Sequence, residues 1–260
     1  MPTTPQGFQE RLATLGQHLS DQGALVLEMV EAGFDHLFAP SHSGLLALEA
    51  AEERVDRADV AIERAAVDLL GDATDAGNGL HDVAAGGQHR LPEADLRRLL
   101  TIVKINNELE RIADAALACA TLGQRLADAG TGSNQPAPTP PTTFRVLTNS
   151  VVGILRDAMK ALATGDVRLA RVVLQSDEAV EAFKAALLQD AQDRLRQGTL
   201  DPAAAFLLLE ISTAAHAIAE HATNIAEQLL YLHTGTIVRH VEGKWLDVPV
   251  TADPARPEHG

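Results

Sequence analysis

Two acidic residues four positions apart lie on a stretch of chain that contains no glycine or proline. The stretch runs from Asn106 to Cys119 (NNELERIADAALAC), and the two acids are Glu110 and Asp114. Residues four apart share one face of a helix, where like charges repel at a cost of about 0.2–0.5 kcal/mol. A bound cation would turn that cost into a gain, so this spacing suits a metal-binding pair.

Three more pairs with the same spacing occur along the chain. Carboxylate oxygens suit hard cations such as Mg²⁺, Mn²⁺, Ca²⁺ and Fe³⁺, whereas an imidazole shifts the preference toward Zn²⁺ or iron. A single acidic pair is common in acidic helical proteins and usually faces solvent, so the repetition carries the prediction. Asn224 and Glu227 continue the line of the last pair. The three pairs are Glu52/Asp56, Asp177/Glu181 and His216/Glu220.

The segments that carry these pairs all have helical character. The chain is 46% hydrophobic but only 3% aromatic, so alanine, leucine and valine must build its core, and this composition favours helices over sheet. We therefore predict an all-α protein. The predicted helices span 8–38, 45–70, 92–129, 144–163, 167–197 and 202–235.

Glycine- and proline-rich segments divide the helices into two groups of three. Five glycines in 71–90 predict a loop or mobile insert, and four prolines in 130–143 predict a stiff linker. Glu52 and Glu110 are 58 residues apart, whereas Asp177 and His216 are 39 residues apart. The difference of 19 residues is close to the length of the insert. The sequence thus predicts a first bundle at 8–129, a second at 144–240 and a flexible tail at 241–260.

Charge, cysteine content and missing motifs exclude several functions. With 36 acids against 21 bases, the net charge of −15 disfavours nucleic-acid binding. One cysteine, Cys119, rules out an internal disulfide or a cysteine-based zinc site, and we predict that it is buried. Phosphate-loop, nucleophile-elbow and HExxH motifs are absent, which predicts a protein without enzymatic activity.

Hydropathy predicts a cytoplasmic protein. The N-terminal residues lack the apolar core of a signal peptide, and the most apolar stretch, Ala203 to Leu209, is too short to span a bilayer. We expect membrane association only through partners. Four further acids are predicted to lie on the surface: Glu31, Glu49, Asp59 and Glu63.

Three motifs resemble those of a known family. NELERIADAA (107–116) resembles the LERIGD element of PhoU-type phosphate uptake regulators, and HAIAEHATNIAEQLLYLHTGTIVRH (216–240) resembles its second copy. PEADLRRLL (92–100) is similar to the opening of the family's third helix. The second copy departs from the pattern because Ala215-His216-Ala217 replaces Leu-Glu-Arg.

The resemblance implies a fold, a function and ligand sets. It implies two tandem pseudo-symmetric three-helix bundles that bind divalent or trivalent metal ions, most often iron or zinc, and a negative regulator of phosphate uptake and phosphate-starvation signalling. The implied partners are the ATPase of the phosphate ABC transporter and a sensor histidine kinase. The implied first site is Glu52, Asp56, Glu110 and Asp114, and the second is Asp177, Glu181, His216 and Glu220 with Asn224 as an extra ligand.

Two other functions compete with this one. The helices would serve equally in a metal-free adaptor, or in a metal-dependent hydrolase or metal-storage bundle that uses the same carboxylates. The hydrolase is disfavoured because no nucleophile or general-base arrangement accompanies the acids. Alanine-rich helix faces also predict self-association as a homodimer.

Overall fold

Seven α-helices make up the architecture in the computed structural model, which describes residues 5–75, 91–129 and 140–237. No strand occurs within these ranges, and the predicted all-α class is confirmed. The helices are α1 (Pro5–Phe38), α2 (His42–Asp75), α3 (Glu93–Asp128), α4 (Thr142–Thr164), α5 (Val167–Gln175), α6 (Asp177–Arg196) and α7 (Pro202–Thr234).

Two long helices, α3 and α7, lie side by side at the centre. Helix α3 also packs against α1 and α2, whereas α7 packs against α4, α5 and α6, and α1 contacts α4. Apolar residues at helical spacing, such as Leu12, Leu15 and Leu19 on α1, point into the interior. The buried side chains of both halves therefore form one continuous core.

Close approach between α1 and α3 depends on two glycines. A Cβ atom at Gly33 would lie 3.1 Å from the carbonyl oxygen of Ala116, and one at Gly123 would lie 3.2 Å from the Cα of Leu37. Both contacts are tighter than ordinary van der Waals packing, so larger residues would push the helices apart. Cys119 is fully buried nearby, as predicted, and burial raises the pKa of its thiol to about 12.

The turns of the second half follow the predicted local chemistry. Gly165 and Gly235 adopt left-handed conformations, with φ of 66° and 71°, and end α4 and α7. Asp166 caps α5 by accepting hydrogen bonds from the backbone N–H groups of Arg168 and Leu169. Asp201 caps α7 in the same manner, immediately before Pro202.

Two predicted boundaries were wrong. The segment predicted as one helix over 167–197 is two helices that meet at Ser176, whose hydroxyl donates to the carbonyl of Val172. Its backbone N–H donates to Val173, three residues back, so the helix tightens and breaks there. Helix α2 also continues past Leu70 to Asp75, into the predicted insert.

Other predictions fall on residues outside the described part of the chain. These are the remainder of the insert (76–90), most of the linker (130–139) and the tail (241–260). The division into two three-helix bundles stays a prediction.

Helix α7 is more apolar than the sequence analysis expected. Its 33 residues are long and apolar enough to cross a bilayer by length and composition, with a mean hydropathy of 1.4 in its most apolar window. The stretch Ala203–Leu209, which the sequence analysis used to judge whether the chain could span a bilayer, was therefore too short a window. Because α7 contacts four other helices, its composition is that of a central helix in the bundle.

Candidate metal centre

Four of the predicted ligands face one another across the groove between α2 and α3. Glu52 and Asp56 lie on α2, and Glu110 and Asp114 lie on the adjacent α3. Glu52 and Asp56 are close enough to share a hydrogen bond, as are Glu110 and Asp114. Asp114 also acts electrostatically on Glu52 across the groove. We call these four residues, together with Asp59, the α2–α3 carboxylate cluster.

Burial and mutual repulsion raise the pKa values of Glu52, Glu110 and Asp114 in this cluster. Partial burial raises the pKa of Glu52, and the nearby charges of Asp56 and Asp114 add to the effect. Burial also raises the pKa of Glu110, with further contributions from Asp114, Asp59 and Asp56. For Asp114, burial and the charge of Asp56 raise the pKa, although a hydrogen bond with Glu110 opposes them. The folded chain thus disfavours the ionised form of three of these carboxylates.

The fifth member, Asp59, was predicted to lie on the surface, and that prediction was wrong. Asp59 is half-buried, and the amide of Asn106 donates to both its side-chain oxygen, at 2.6 Å, and its backbone carbonyl, at 3.0 Å. Burial, Glu63 and Asp56 raise its pKa. A signal for it existed, since Glu52, Asp56, Asp59 and Glu63 recur at the four-three-four spacing of one helix face.

The described part of the protein supplies little positive charge to the cluster, where Arg111 alone acts to lower the pKa of Glu110. Among the residues that the structure describes, none of its five acids forms an ion pair with a lysine or arginine. No three histidine, cysteine, aspartate or glutamate side chains in the described ranges converge tightly enough to hold a metal ion. The carboxylate oxygens are suitable ligands for a hard cation, but these side chains would have to change rotamer to enclose one.

The second predicted site is sparser. Nε2 of His216 on α7 lies 3.3 Å from a carboxylate oxygen of Glu181 on α6, so these two predicted ligands do meet. Nδ1 of His216 is buried and has no hydrogen-bond partner. Glu220 is exposed one turn further along α7. The side chain of Asp177 lies outside the described part of the chain.

Asn224 lies in a different cluster from the one expected. Its amide donates to a carboxylate oxygen of Glu108 on α3 at 3.1 Å, and Nδ1 of His221 lies 2.7 Å from the same oxygen. Burial alone would raise the pKa of Glu108. Hydrogen bonds with His221 and Asn224, together with the charge of His221, bring that pKa below its usual value. We call these three residues the α3–α7 bridge, which sequence reasoning missed; the polar line on apolar α7 was its only signal.

Comparison with known proteins finds similarity to accessory proteins of phosphate transport. A sequence model of the PhoU domain matches residues 144–229. A phosphate-specific transport system accessory protein PhoU homolog from Pseudomonas putida is 26% identical over 240 residues, covering 91% of this chain and 84% of that protein. The homolog from Pseudomonas aeruginosa is 27% identical, covering 91% of this chain and 89% of its own.

A solved structure shares the fold. The crystal structure of PhoU from Pseudomonas aeruginosa superposes with a TM-score of 0.74 at 22% identity, covering 88% of this chain and 100% of that one. The domain match, the relatives and the fold agree with the motifs at 107–116 and 216–240. The chain is thus similar in sequence to PhoU proteins and shares their fold.

Proposed function

We propose that this protein is a non-enzymatic regulator of phosphate transport that binds metal ions through the α2–α3 carboxylate cluster. Its relatives are named as accessory proteins of the phosphate-specific transport system. The single observation that supports the metal is the set of facing acids whose pKa values are raised by burial and by one another, and which form no ion pair with a lysine or arginine within the described residues. Perturbed groups of this kind concentrate at functional sites.

The residues of the cluster have distinct roles in this proposal. Glu52, Asp56, Glu110 and Asp114 would supply oxygen ligands from two helices, and Asp59 would add a fifth carboxylate oriented by Asn106. A bound cation would supply positive charge, which cancels the repulsion and ties α2 to α3. Iron or zinc is the expected metal, with magnesium, manganese and calcium as alternatives because all accept oxygen ligands.

The second site would use the groups on α6 and α7. His216 and Glu181 already lie within 3.3 Å, with Glu220 one turn away and Asp177 at the start of α6. A neutral imidazole beside carboxylates suits zinc or iron. A metal here would have to displace the present contact between His216 and Glu181, so we expect weaker binding than at the cluster.

The proposed partners follow from the family. The protein would work in the cytoplasm, as a homodimer, on the ATPase of the phosphate ABC transporter and on a sensor histidine kinase. Metal binding would fix the α2–α3 surface in the shape that these partners recognise. The expected output is repression of phosphate uptake and of the phosphate-starvation response when phosphate is sufficient.

Deleting the gene tests the regulatory proposal. We expect phosphate uptake and expression of phosphate-starvation genes to rise in phosphate-rich medium. A plasmid copy of the unmutated gene should restore repression. Unchanged uptake and unchanged expression in the deletion strain would refute the regulatory role.

Elemental analysis tests the metal proposal. Protein purified without chelator should carry metal, and the double variant Asp56→Asn/Asp114→Asn should lose most of it. The matched control is Glu49→Gln/Asp68→Asn, which removes two charges from exposed positions of α2 outside the cluster. Equal metal content in all three proteins would contradict a site at the cluster.

A metal-free adaptor is the second candidate. It is favoured by one observation, namely that no three potential ligands within the described residues converge as a metal site requires. Under this alternative the acidic face would contact a basic surface of a partner directly. Protein that is free of metal by elemental analysis, yet restores repression to the deletion strain, would establish the adaptor.

A further inference from the structure

A cleft of about 710 Å³ lies where the two halves of the chain meet at the start of α3. Helices α1 and α3 form one wall, and the α4–α5 turn with the end of α7 forms the other. Its volume lies within the range of about 300–1,000 Å³ typical of small-molecule sites. The polar side chains of interest around it are Gln17, Asp95, Arg98, Thr101 and His233.

Arg98 is the cationic group in this cleft that lacks a counter-charge. Its guanidinium lies against α1, where a Cβ atom at Gly16 would be 3.6 Å from Nη2. Across the described ranges it forms no hydrogen bond or ion pair, although it is half-buried and the chain holds 15 more acids than bases. The adjacent Arg97 does pair, with Glu93 at 2.6 Å.

The nearest acid on α3 does not neutralise Arg98. Asp95 lies one turn before it and also lines the cleft, but Nε2 of Gln9 donates to its carboxylate at 2.7 Å. A partly desolvated guanidinium without a partner carries an energetic cost, and a bound anion removes that cost. The geometry therefore leaves Arg98 available to an anionic ligand.

Thr101 adds an unsatisfied hydroxyl one turn further along α3. The residue is 1% exposed, and its Oγ1 is buried without a hydrogen-bond partner. Threonines within helices commonly donate to the carbonyl four residues back, and Thr101 does not. Residues three apart are neighbours on a helix face, so this hydroxyl and Arg98 lie on the same wall of the cleft.

The opposite wall presents a histidine. Nδ1 of His233 lies 2.9 Å from the carbonyl of Leu229, so Nδ1 carries a proton and donates. Nε2 then faces Gly165, where a Cβ atom would lie 3.4 Å away. Apolar side chains such as Leu19, Ile102 and Leu229 line the remaining surface.

We propose that this cleft binds the phosphate group of a small molecule. The planar guanidinium of Arg98 would hold two phosphate oxygens in a bidentate arrangement, and the Thr101 hydroxyl would donate to a third. The apolar walls leave room for the organic part of a phosphate ester. The site is separate from the proposed metal centre, because Arg98 and Glu110 are about 18 Å apart along α3.

Calorimetric titration of the metal-free full-length protein tests the proposal, since removing metal prevents phosphate from binding to a cation instead. The probes are inorganic phosphate and adenosine monophosphate. We expect saturable binding of at least one, weakened about tenfold or more by Arg98→Gln, since hydrogen bonds to charged groups are strong. Thr101→Val should weaken binding a few-fold without lowering the melting temperature, because the hydroxyl it removes has no partner in the free protein.

Three further variants sharpen the result. Asp95→Asn should tighten binding, because it removes a negative charge from the cleft. Arg125→Gln is the matched control, since it removes an exposed arginine from the far end of the same helix and should leave binding unchanged. The metal-site variant Asp56→Asn/Asp114→Asn should also bind normally, so the two proposals can fail independently.

The outcomes separate the two sources of phosphate. Tighter binding of adenosine monophosphate would assign the cleft to phosphate esters, and equal or tighter binding of inorganic phosphate would assign it to the free ion. No binding of either probe up to about 10 mM, which is weaker than most specific sites, would overturn the proposal. Undiminished binding by Arg98→Gln would overturn it as well.

Discussion

The two faces of α3 hold their glutamates in opposite electrostatic states. Glu108 and Glu110 are two residues apart and so point to nearly opposite sides of the helix. Glu108 faces α7, where His221 and Asn224 lower its pKa, whereas Glu110 faces α2, where burial and three other carboxylates raise its pKa. The negative charge of Glu108 is stabilised by groups of the protein itself. The charge of Glu110 would need a bound cation to be stabilised to the same degree.

This difference separates structural acids from candidate ligands. The α3–α7 bridge joins the two halves of the chain through one charged oxygen and two donors, so it contributes to stability as it stands. The α2–α3 carboxylate cluster has one such donor, Asn106 on Asp59, and the remaining repulsion among its acids costs stability in the metal-free protein. Local conflicts of this kind in an otherwise consistent fold are expected at functional sites.

Metal addition should give the largest contrast between the two faces. At a metal concentration of 100 times Kd, a single site stabilises the folded state by about 2.7 kcal/mol. For a chain of this size, that corresponds to a rise in melting temperature of about 5–10 °C. Scanning calorimetry of chelated protein, before and after addition of zinc or iron, measures it.

The same experiment on two variants locates the effect. Asp56→Asn/Asp114→Asn should lose the metal-induced rise, whereas Glu108→Gln should keep it because Glu108 faces away from the cluster. A rise that survives the first variant and vanishes in the second would reverse our assignment of the two faces.

Truncating each glutamate in turn should give the next largest contrast. Glu108→Ala leaves His221 and Asn224 without their shared acceptor in a part-buried interface, and should lower the free energy of unfolding by about 1.5–3 kcal/mol. Glu110→Ala changes helix propensity equally but removes repulsion, so it should leave the metal-free protein as stable or more so. Urea denaturation at neutral pH without metal measures both, and equal losses would contradict the distinction.

The pH dependence of stability should have opposite signs on the two faces. Four acids of the cluster have raised pKa values in the folded state, namely Glu52, Asp59, Glu110 and Asp114. Between their ordinary and their raised pKa values, these groups bind more protons in the folded protein than in the unfolded chain. Their contribution is greatest at low pH and falls as pH rises through the raised values. Glu108 has a lowered pKa, so its contribution is present above its ordinary value of 4.5 and is lost as pH falls.

Unfolding of the metal-free protein measured from about pH 3, below the ordinary carboxylate values, to about pH 7 tests this expectation. Replacing the four cluster acids with raised pKa values by Asn or Gln should remove the loss of stability at the higher pH values. These acids are Glu52, Asp59, Glu110 and Asp114. Glu108→Gln should instead remove part of the loss on the acidic side. An unchanged pH profile in the cluster variant would show that these acids do not repel one another in the folded state.

The sequence predicted the helices and the acidic pairs along them better than it predicted which side chains meet between helices. Helical spacing and the signals at Gly165, Asp201 and Pro202 located most of the elements, because they depend on residues near in sequence. The break at Ser176 was missed because one serine inside an apolar pattern is a weak signal. Its effect depends on a hydrogen bond to Val172 that only the folded helix reveals.

Side-chain partners were harder to predict because they come from distant helices. The facing of Glu52 and Asp56 with Glu110 and Asp114 followed from the repeated spacing. Asn106 holding Asp59 across 47 residues, and Glu108 meeting His221 across 113, depend on how α2 and α7 rotate about α3. Helix rotation is set by packing of the whole core, which no local pattern encodes.

The smallest expected effect concerns one carboxylate alone. Asp114→Asn keeps the shape of the side chain but removes its charge from beside Glu110 and across from Asp56. In metal-free protein it should raise the free energy of unfolding by about 0.2–0.5 kcal/mol, the size of a like-charge pair on a helix. With metal present the sign should reverse, because the variant loses a ligand. Asp68→Asn, on the exposed part of α2, should change neither value. Because a merely structural aspartate would give the same sign in both conditions, the reversal itself identifies Asp114 as a ligand.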